Sequence, residues 1–498
     1  MPEGQARRSA LARFLAVASG AQACEITALA PLAGGAIQEN WGLDAHFASG
    51  TLDGAQRLVL RAAGETGVPS SLDRLQEFAV LKAAFAAGVT VPEPLFACPD
   101  PSVFGKPFFI MRRAEGTAAA HRITRDPMLD PVLPAIAAQL GVELARIHTI
   151  RPPRSDFDFL TPYEKSGPEH QIAAFRDYLD THPSPRPVLE WGIRWLETHA
   201  PPPAEPVLCH HDFRTGNYLL DGAELTGILD WEFAGWGDPD EDIAWFCSMG
   251  WRFARLDREA GGIADRAPFY SGYGSESRRA IDPVRVHFWE VLASVRWAVI
   301  ALQQSDRQML GGERSLDLAL TGRRASECEL AILMLLDPSG EPAASAAASQ
   351  TLPGWRGREG RGNESAENDG PTAATTDLPR GPALLALARD VLISDLLPLL
   401  PRDRQLDARL VANCMAIAER EATAPACVAS IAAELGVLFG ADTGDSAVLL
   451  HRFARELRIG GLDNSPERAA QARAMLWRLT IARLRLANPR FLAANGFS

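Results

Sequence analysis

Between Asp337 and Pro379 the sequence is dominated by Ala, Ser, Gly, Thr and Pro, loses all aliphatic periodicity and carries one aromatic residue, Trp355. Such a stretch buries too little apolar surface to offset the entropy of ordering it. It reads as a flexible linker, and it prevents the 498-residue chain from closing around one core. At about 150 residues per domain the length alone already argues for several units. Both flanks of the linker are expected to fold.

Charge separates the flanks further. From residue 380 onward there are 15 Arg against 12 acidic residues, whereas the preceding part holds 35 basic against 50 acidic residues. The net charge of −12 excludes a general nucleic-acid binder, which needs clustered positive charge. No apolar run approaches the ~20 residues of a membrane-spanning helix, and the stretch Leu15 to Ala18 is too short for a signal-peptide core. Arg7, Arg8 and Arg13 give this end a transit-peptide flavour, but Leu11, Phe14, Leu15 and Ala18 fall at helical spacing and predict an amphipathic surface helix. Cys24, Cys98, Cys209, Cys247, Cys328, Cys414 and Cys427 show no two-residue spacing for a metal or redox pair, so a reducing, cytoplasmic setting is expected.

Ahead of the linker, residues 25–31, 42–48, 57–62 and 108–111 have the composition of strands. One helix interrupts them: residues 72–87 repeat Leu75, Phe78, Leu81 and Phe85 on one face before Gly88, and Val91-Pro92-Glu93-Pro94 reads as a loop. Residues 130–336 are mainly helical except around Cys209 to Glu232, where two strand-like runs, residues 218–220 and 225–229, enclose the turn Asp221-Gly222. Behind the linker the chain is helical throughout. Helices are expected over 384–400, over 406–421, from Ile431, and through the 440s and 450s. The last is capped by Ser465-Pro466 and stopped at Asn488-Pro489, with Met475, Leu476, Leu479 and Leu484 facing inward.

The chemistry concentrates in the strand-like interruption. From His210 the chain runs His-His-Asp-Phe-Arg-Thr-Gly-Asn, and after the hairpin comes Asp230. Phosphoryl transfer from ATP needs a group to take the proton of the attacking hydroxyl and oxygen ligands for the magnesium that spans the phosphates. Asp212, five residues before Asn217, and Asp230 at the end of an aliphatic strand supply those parts in the order of a kinase catalytic loop. Three blocks, His210-His211-Asp212 to Asn217, Ile228 to Glu232, and Gly237-Asp238-Pro239 to Asp242-Ile243-Ala244, together resemble the aminoglycoside phosphotransferase superfamily.

That resemblance implies an α+β, bilobal protein-kinase-like fold with a C-terminal all-α domain. The N-lobe is expected over residues 1–112, the C-lobe over 113–336, the linker over 337–379 and the helical accessory domain over 380–498. It implies Asp212 as catalytic base, His210 as a mainly structural member of the catalytic loop, Asn217 and Asp230 as metal ligands, and ATP and Mg2+ as cofactors. Asp242 is expected as a buried brace for that loop. Gly34 and Gly35 lie where the family covers the phosphates. Arg61 stands where a Lys is usual, since the chain's three Lys (Lys82, Lys106 and Lys165) lie elsewhere. Glu77 is its expected ion-pair partner, against the alternative of a solvated helix face. Met111, Arg112 and Ala114 belong to the hinge that reads adenine, and His211 occupies a position where the family has Gly.

Arg61, the block from Arg74 to Ala83 followed by Val89 to Pro92, and Phe109 to Arg112 resemble one branch, that associated with acyl-CoA dehydrogenases. This implies a small-molecule hydroxyl substrate linked to CoA, a 4-hydroxyacyl-CoA thioester, with functional coupling to an acyl-CoA dehydrogenase and no nucleic-acid or membrane partner. The region 380–498 resembles a helical domain that accompanies these kinases. The same motifs also serve kinases of aminoglycosides, choline-like or sugar-like alcohols. A third reading is a catalytically idle ATP-binding scaffold, against which the retention of Asp212, Asn217 and Asp230 argues.

Overall fold

A computed structural model describes residues 2–32, 39–64, 71–253, 255–311, 315–340, 381–423, 425–440 and 445–497. Gly34, Gly35 and the expected linker beyond residue 340 lie outside the described residues. The chain forms two compact units: Met1–Gln171 with Pro201–Glu290, and Ile172–Ala200 with Val291–Ser498. Residues 172–200 and 291–336, expected as parts of the C-lobe, thus gather with the C-terminal helices rather than with the catalytic loop.

The first unit opens with a helix, Pro2–Ser19, whose Leu11 and Leu15 point into a core with Leu43, Phe47, Leu58, Leu60, Phe108 and Ile110. Five antiparallel strands form the sheet: β1 (Ala23–Pro31), β2 (Glu39–Ala48), β3 (Gly54–Ala62), β4 (Pro94–Cys98) and β5 (Phe108–Arg112), in the order β1-β2-β3-β5-β4. The four expected strands are present. β4 is additional, and its Pro94 sits at the first residue of an edge strand, a place where a missing N–H costs no ladder bond.

The helix Arg74–Ala86 starts with a capping box: Asp73 Oδ1 accepts from the amides of Leu75 and Gln76, and Gln76 Oε1 accepts from that of Asp73. Its inward face differs from the expected apolar stripe. Arg74, Glu77, Val80, Leu81 and Ala84 are buried, while Phe85 is 46% exposed. The charged members of that face serve the site described below.

The lower part of the unit is built on a close helix crossing. Leu133–Ile147 passes Arg266–Ser277 at Gly141 and Gly272, and a Cβ on Gly272 would stand 1.8 Å from the carbonyl oxygen of Ala138. Four short strands follow in chain order, β6 (Val207–Cys209), β7 (Tyr218–Asp221), β8 (Glu224–Ile228) and β9 (Gly235–Gly237), pairing as β6-β9 and as the expected hairpin β7-β8. The two parts of the unit are stitched together at Thr90. Its amide and hydroxyl donate to the buried carboxylate of Glu143, at 2.7 and 2.9 Å, and its carbonyl accepts from the amide of Ile228 at 2.8 Å.

The second unit is all helical among the described residues. Pro187–His199 and Ala325–Leu336 pack with Gln405–Thr423, Pro425–Phe439, Ser446–Ile459 and Pro466–Ala487. Ser465 caps the last of these by accepting from the amide of Arg468, and Met475, Leu476, Leu479 and Leu484 are buried, as the sequence predicts. The carboxylate of Glu329, fully buried, binds Arg483 at 3.1 Å across a gap of more than one hundred residues. Gly381–Val391 is regular helix, but Leu392–Leu396 widens into a π turn, so the stretch expected as one helix to residue 400 ends in irregular turns.

Candidate active site

All the described residues assigned to catalysis or nucleotide binding lie in the first unit. β6 delivers the chain to His210, and the loop after it is held by one carboxylate: Asp242 accepts from the amide of His210 at 2.6 Å and from that of His211 at 2.8 Å. Asp242 is fully buried on the helix Pro239–Cys247. Burial alone would raise its pKa, but the hydrogen bond and charge of His148, with His211 and His210, outweigh it and bring the carboxyl to about 2. It is therefore an anion fixed beneath the loop.

His210 is itself fully buried, with Nε2 2.9 Å from the carbonyl oxygen of Leu229 and its ring against Phe213 and Trp231. It ties the catalytic loop to the segment bearing Asp230. His211 has φ +59°, a left-handed conformation that a Gly adopts freely and that His tolerates better than most residues. Its ring packs so closely on β9 that a Cβ at Gly237 would stand 2.7 Å from Nε2. The replacement of Gly thus keeps the backbone shape and adds a ring against a strand that has glycine to receive it.

Asp212 is fixed at both oxygens. Asn217 Nδ2 donates to Asp212 Oδ2 at 2.6 Å and to its carbonyl oxygen at 2.9 Å, while Arg214 Nε and Trp245 Nε1 each donate to Oδ1 at 3.0 Å. Sequence reasoning overlooked Arg214 and Trp245. Their signals were modest: Arg214 is two residues past Asp212, and Trp245 lies three residues past Asp242, one helical turn along the same buried helix. Arg214 in turn lies over the ring of Trp251, 4.5 Å from its centroid.

Asn217 reaches across to the other metal-ligand candidate, since its carbonyl accepts from the amide of Leu229 at 2.8 Å. Asp230 follows at φ +61°, and its side chain is 40% exposed. With the amide nitrogen of Asn217 spent on Asp212, its Oδ1 and the Asp230 carboxylate are the oxygens this segment presents. Carboxylate and carboxamide oxygens are the hard donors that Mg2+ takes beside phosphate and water, so the donor set fits that ion.

Arg61 on β3 occupies the middle of a buried charge cluster. Its Nε is 2.9 Å from Glu77 Oε1 and its Nη2 is 3.0 Å from Asp230 Oδ1. Glu77 is 2% exposed and also binds Arg74, so it is no solvated helix face. Burial by itself would discharge Arg61, but the carboxylates of Glu77, Asp230 and Glu232 hold it charged, above its ordinary value. Arginine suits this position where Lys is usual, because one fork meets carboxylates on two different elements.

At the hinge, the amides of Arg112 and Arg113 are already used, donating to the carbonyls of Glu93 and Arg57 at 2.9 and 3.0 Å. Arg112 also bonds Gln56 Oε1 at 2.8 Å and pairs with Glu93. Its side chain and those amides knit the sheet edge. Met111, level with Val59 on β3, and Ala114 flank them.

A separate group, His148, Cys209 and Asp242, has ligand-type atoms within 4.8 Å of one another, all buried. It does not suit a metal. Burial and Asp242 push the Cys209 thiol well above its ordinary value, its Sγ donates to the carbonyl of Asp238 at 3.3 Å, and His148 Nδ1 meets the hydroxyl of Tyr273 at 2.9 Å. The group is a brace beneath β6.

Residues 28–279 match the model of the phosphotransferase enzyme family. Residues 398–491 match a family described as a domain of unknown function, DUF6285. The chain is 33% identical over 199 residues to acyl-CoA dehydrogenase family member 10 of Mus musculus, covering 39% of this chain and 18% of that protein. It is 33% identical over 207 residues to family member 11 of Gallus gallus, covering 39% and 25%. It therefore spans a quarter or less of the length of these relatives. A crystal structure from Ralstonia eutropha JMP134 with an aminoglycoside phosphotransferase designation shares the fold: TM-score 0.50, 21% identity, 64% of this chain and 95% of that one. Among the described residues no helix is long and apolar enough to cross a membrane.

Proposed function

This chain belongs to the phosphotransferase enzyme family, and we propose that it transfers the γ-phosphoryl group of ATP to the hydroxyl of a 4-hydroxyacyl-CoA thioester. The observation that carries the reading is the fixed set Asp212, Asn217 and Asp230, with Arg61 and Glu77 at its edge. The acyl-CoA part draws on the similarity to two proteins named as acyl-CoA dehydrogenase family members. The branch resemblance of Arg61 and the helix that carries Glu77 points the same way.

Asp212 is the base of the proposed reaction. Arg214 and Trp245 hold one of its oxygens and Asn217 the other, so the carboxylate is aimed before substrate arrives and the encounter costs little reorganisation. The hydroxyl proton passes to this carboxylate as the oxygen bonds the γ-phosphorus and the bridging bond to ADP breaks. No covalent enzyme intermediate is needed. Asn217 Oδ1 and Asp230 would hold Mg2+, which would supply charge neutralisation at the phosphates. Arg61 brings a fixed positive charge to the same edge, and His210 and Asp242 keep the loop in register with Asp230. Adenine recognition falls to Met111 and Ala114, with the Arg112 and Arg113 amides engaged by the sheet. Phosphorylation turns a poor leaving group into a good one, which fits coupling to an acyl-CoA dehydrogenase later in the handling of the acyl chain.

The test is a mass-shift screen of the full chain with Mg2+ and ATP against hydroxyacyl-CoA thioesters varied in chain length and hydroxyl position, with aminoglycosides, choline and simple sugars as competitors. Phosphorylation of a 4-hydroxyacyl-CoA ahead of the others is expected. Turnover confined to an aminoglycoside, choline or sugar would replace the substrate assignment, and the absence of ATP turnover with every compound of the panel would favour the idle scaffold.

A further inference from the structure

We propose that the second unit contains a binding site of its own for a small phosphate monoester, independent of the kinase chemistry. The site is a cavity of about 230 Å3 between the loop 182–186, the start of the helix Pro187–His199, and the helix Ser446–Ile459. Arg186, Arg455 and Arg458 line it, with the imidazoles of His182 and His451 and the residue Ser184.

Two acids also reach the cavity, and both are already neutralised. Asp180 is bound by two nitrogens of Arg458, which hold its carboxyl below the usual range. Glu190, buried, is bound by Arg176, which is not a lining residue. The positive charge is less well compensated. Arg186 has its Nη1 3.5 Å from Glu329 Oε1, but Arg483 takes the same oxygen at 3.1 Å, so two guanidiniums share one carboxylate. Arg186 Nε is sealed from solvent with no hydrogen-bond partner among the described residues. A buried charged donor without an acceptor is costly. Arg455 is exposed and has no ion pair among the described residues.

A solvated basic helix face would leave no cavity. Three guanidiniums line this one against two carboxylates, an excess of positive charge that an anion with several oxygens complements. Guanidinium forks match phosphate oxygens in pairs, and this cavity offers more donors than one carboxylate can accept. Its volume lies below the roughly 300–1,000 Å3 of ordinary ligand pockets, small enough to admit a phosphate with only a modest organic group.

The experiment is calorimetric titration of the full chain, without nucleotide, using inorganic phosphate and phenyl phosphate as probes. Wild type, Arg455→Glu and Arg409→Glu are compared, the last reversing an exposed charge outside the cavity. Binding of at least one probe is expected in wild type and Arg409→Glu, weakened about tenfold or more by Arg455→Glu with unchanged thermal stability. Tighter binding of phenyl phosphate than of inorganic phosphate is the expected result, and tighter binding of inorganic phosphate overturns the assignment to a monoester. Equal affinity in wild type and Arg455→Glu, or no binding by wild type, overturns the proposal. Because no turnover is measured, the result does not depend on whether the kinase substrate has been identified correctly.

Discussion

Asp212→Asn lowers kcat by about 10²–10⁴-fold, the usual contribution of a positioned acid–base group, while ATP affinity stays within a few-fold of wild type. The carboxamide keeps the shape of the carboxylate but cannot take the proton of the acceptor hydroxyl. A second consequence follows from the contacts. Asp212 faces donors at both oxygens, Asn217 Nδ2 on one side and Arg214 with Trp245 on the other. An amide has one oxygen and one NH2, so either orientation sets a donor against a donor. The variant is therefore expected to lose about 1–3 kcal/mol of stability as well. Steady-state turnover with nucleotide titration checks the first effect and a thermal melt the second. Normal turnover in the variant would remove Asp212 from the mechanism.

Glu77→Ala has the largest expected effect on stability. Glu77 lies between Arg61 and Arg74, and all three side chains are buried. Removing the shared carboxylate leaves two guanidiniums in a dry site, with Asp230 and the more distant Glu232 as remaining counter-charges. Deleting one partner of a buried ion pair costs about 3–5 kcal/mol. For a unit of this size that corresponds to a fall in Tm of roughly 10 °C. Glu77→Gln, which keeps the volume and some hydrogen bonding, falls less. Nucleotide affinity should weaken in both variants, because Arg61 loses the contact that holds it toward Asp230. A melting curve matching wild type for Glu77→Ala would mean that the cluster is not a structural element.

The local parts of this architecture were legible in the sequence. A hairpin between Asn217 and Asp230, a helix ahead of Gly88 and a helix capped by Ser465 each depend on neighbours within a few residues, and each is present, although a short further helix, Pro489–Ala494, follows where the chain was expected to stop being helical. What was hidden depends on pairing over long distance. β4 went unseen because Pro94 looks like a breaker, and only the finished sheet shows it opening an edge strand. Trp245 could be recognised as a partner of Asp212 only after the helix Pro239–Cys247 was placed against the loop. The inward face of the helix Arg74–Ala86 was misjudged for a related reason. Periodicity favours apolar residues, whereas this helix buries Arg74 and Glu77 because they satisfy each other and Arg61.

The division into compact units carries the same lesson. Chain order places residues 172–200 and 291–336 with the kinase lobe, yet they gather with the C-terminal helices, where Arg483 binds the buried Glu329. A truncation after residue 337 would therefore cut through the second unit rather than beside it.

The central claim is that Asn217 and Asp230 jointly hold the divalent ion of a nucleotide beside Asp212. Its most direct test is electron paramagnetic resonance of Mn2+ with a non-hydrolysable ATP analogue, on the full chain and on Asn217→Ala and Asp230→Ala. Nucleotide-dependent Mn2+ binding in wild type, weakened more than about tenfold by each substitution, is the predicted result. Mn2+ held equally well by all three proteins would contradict it.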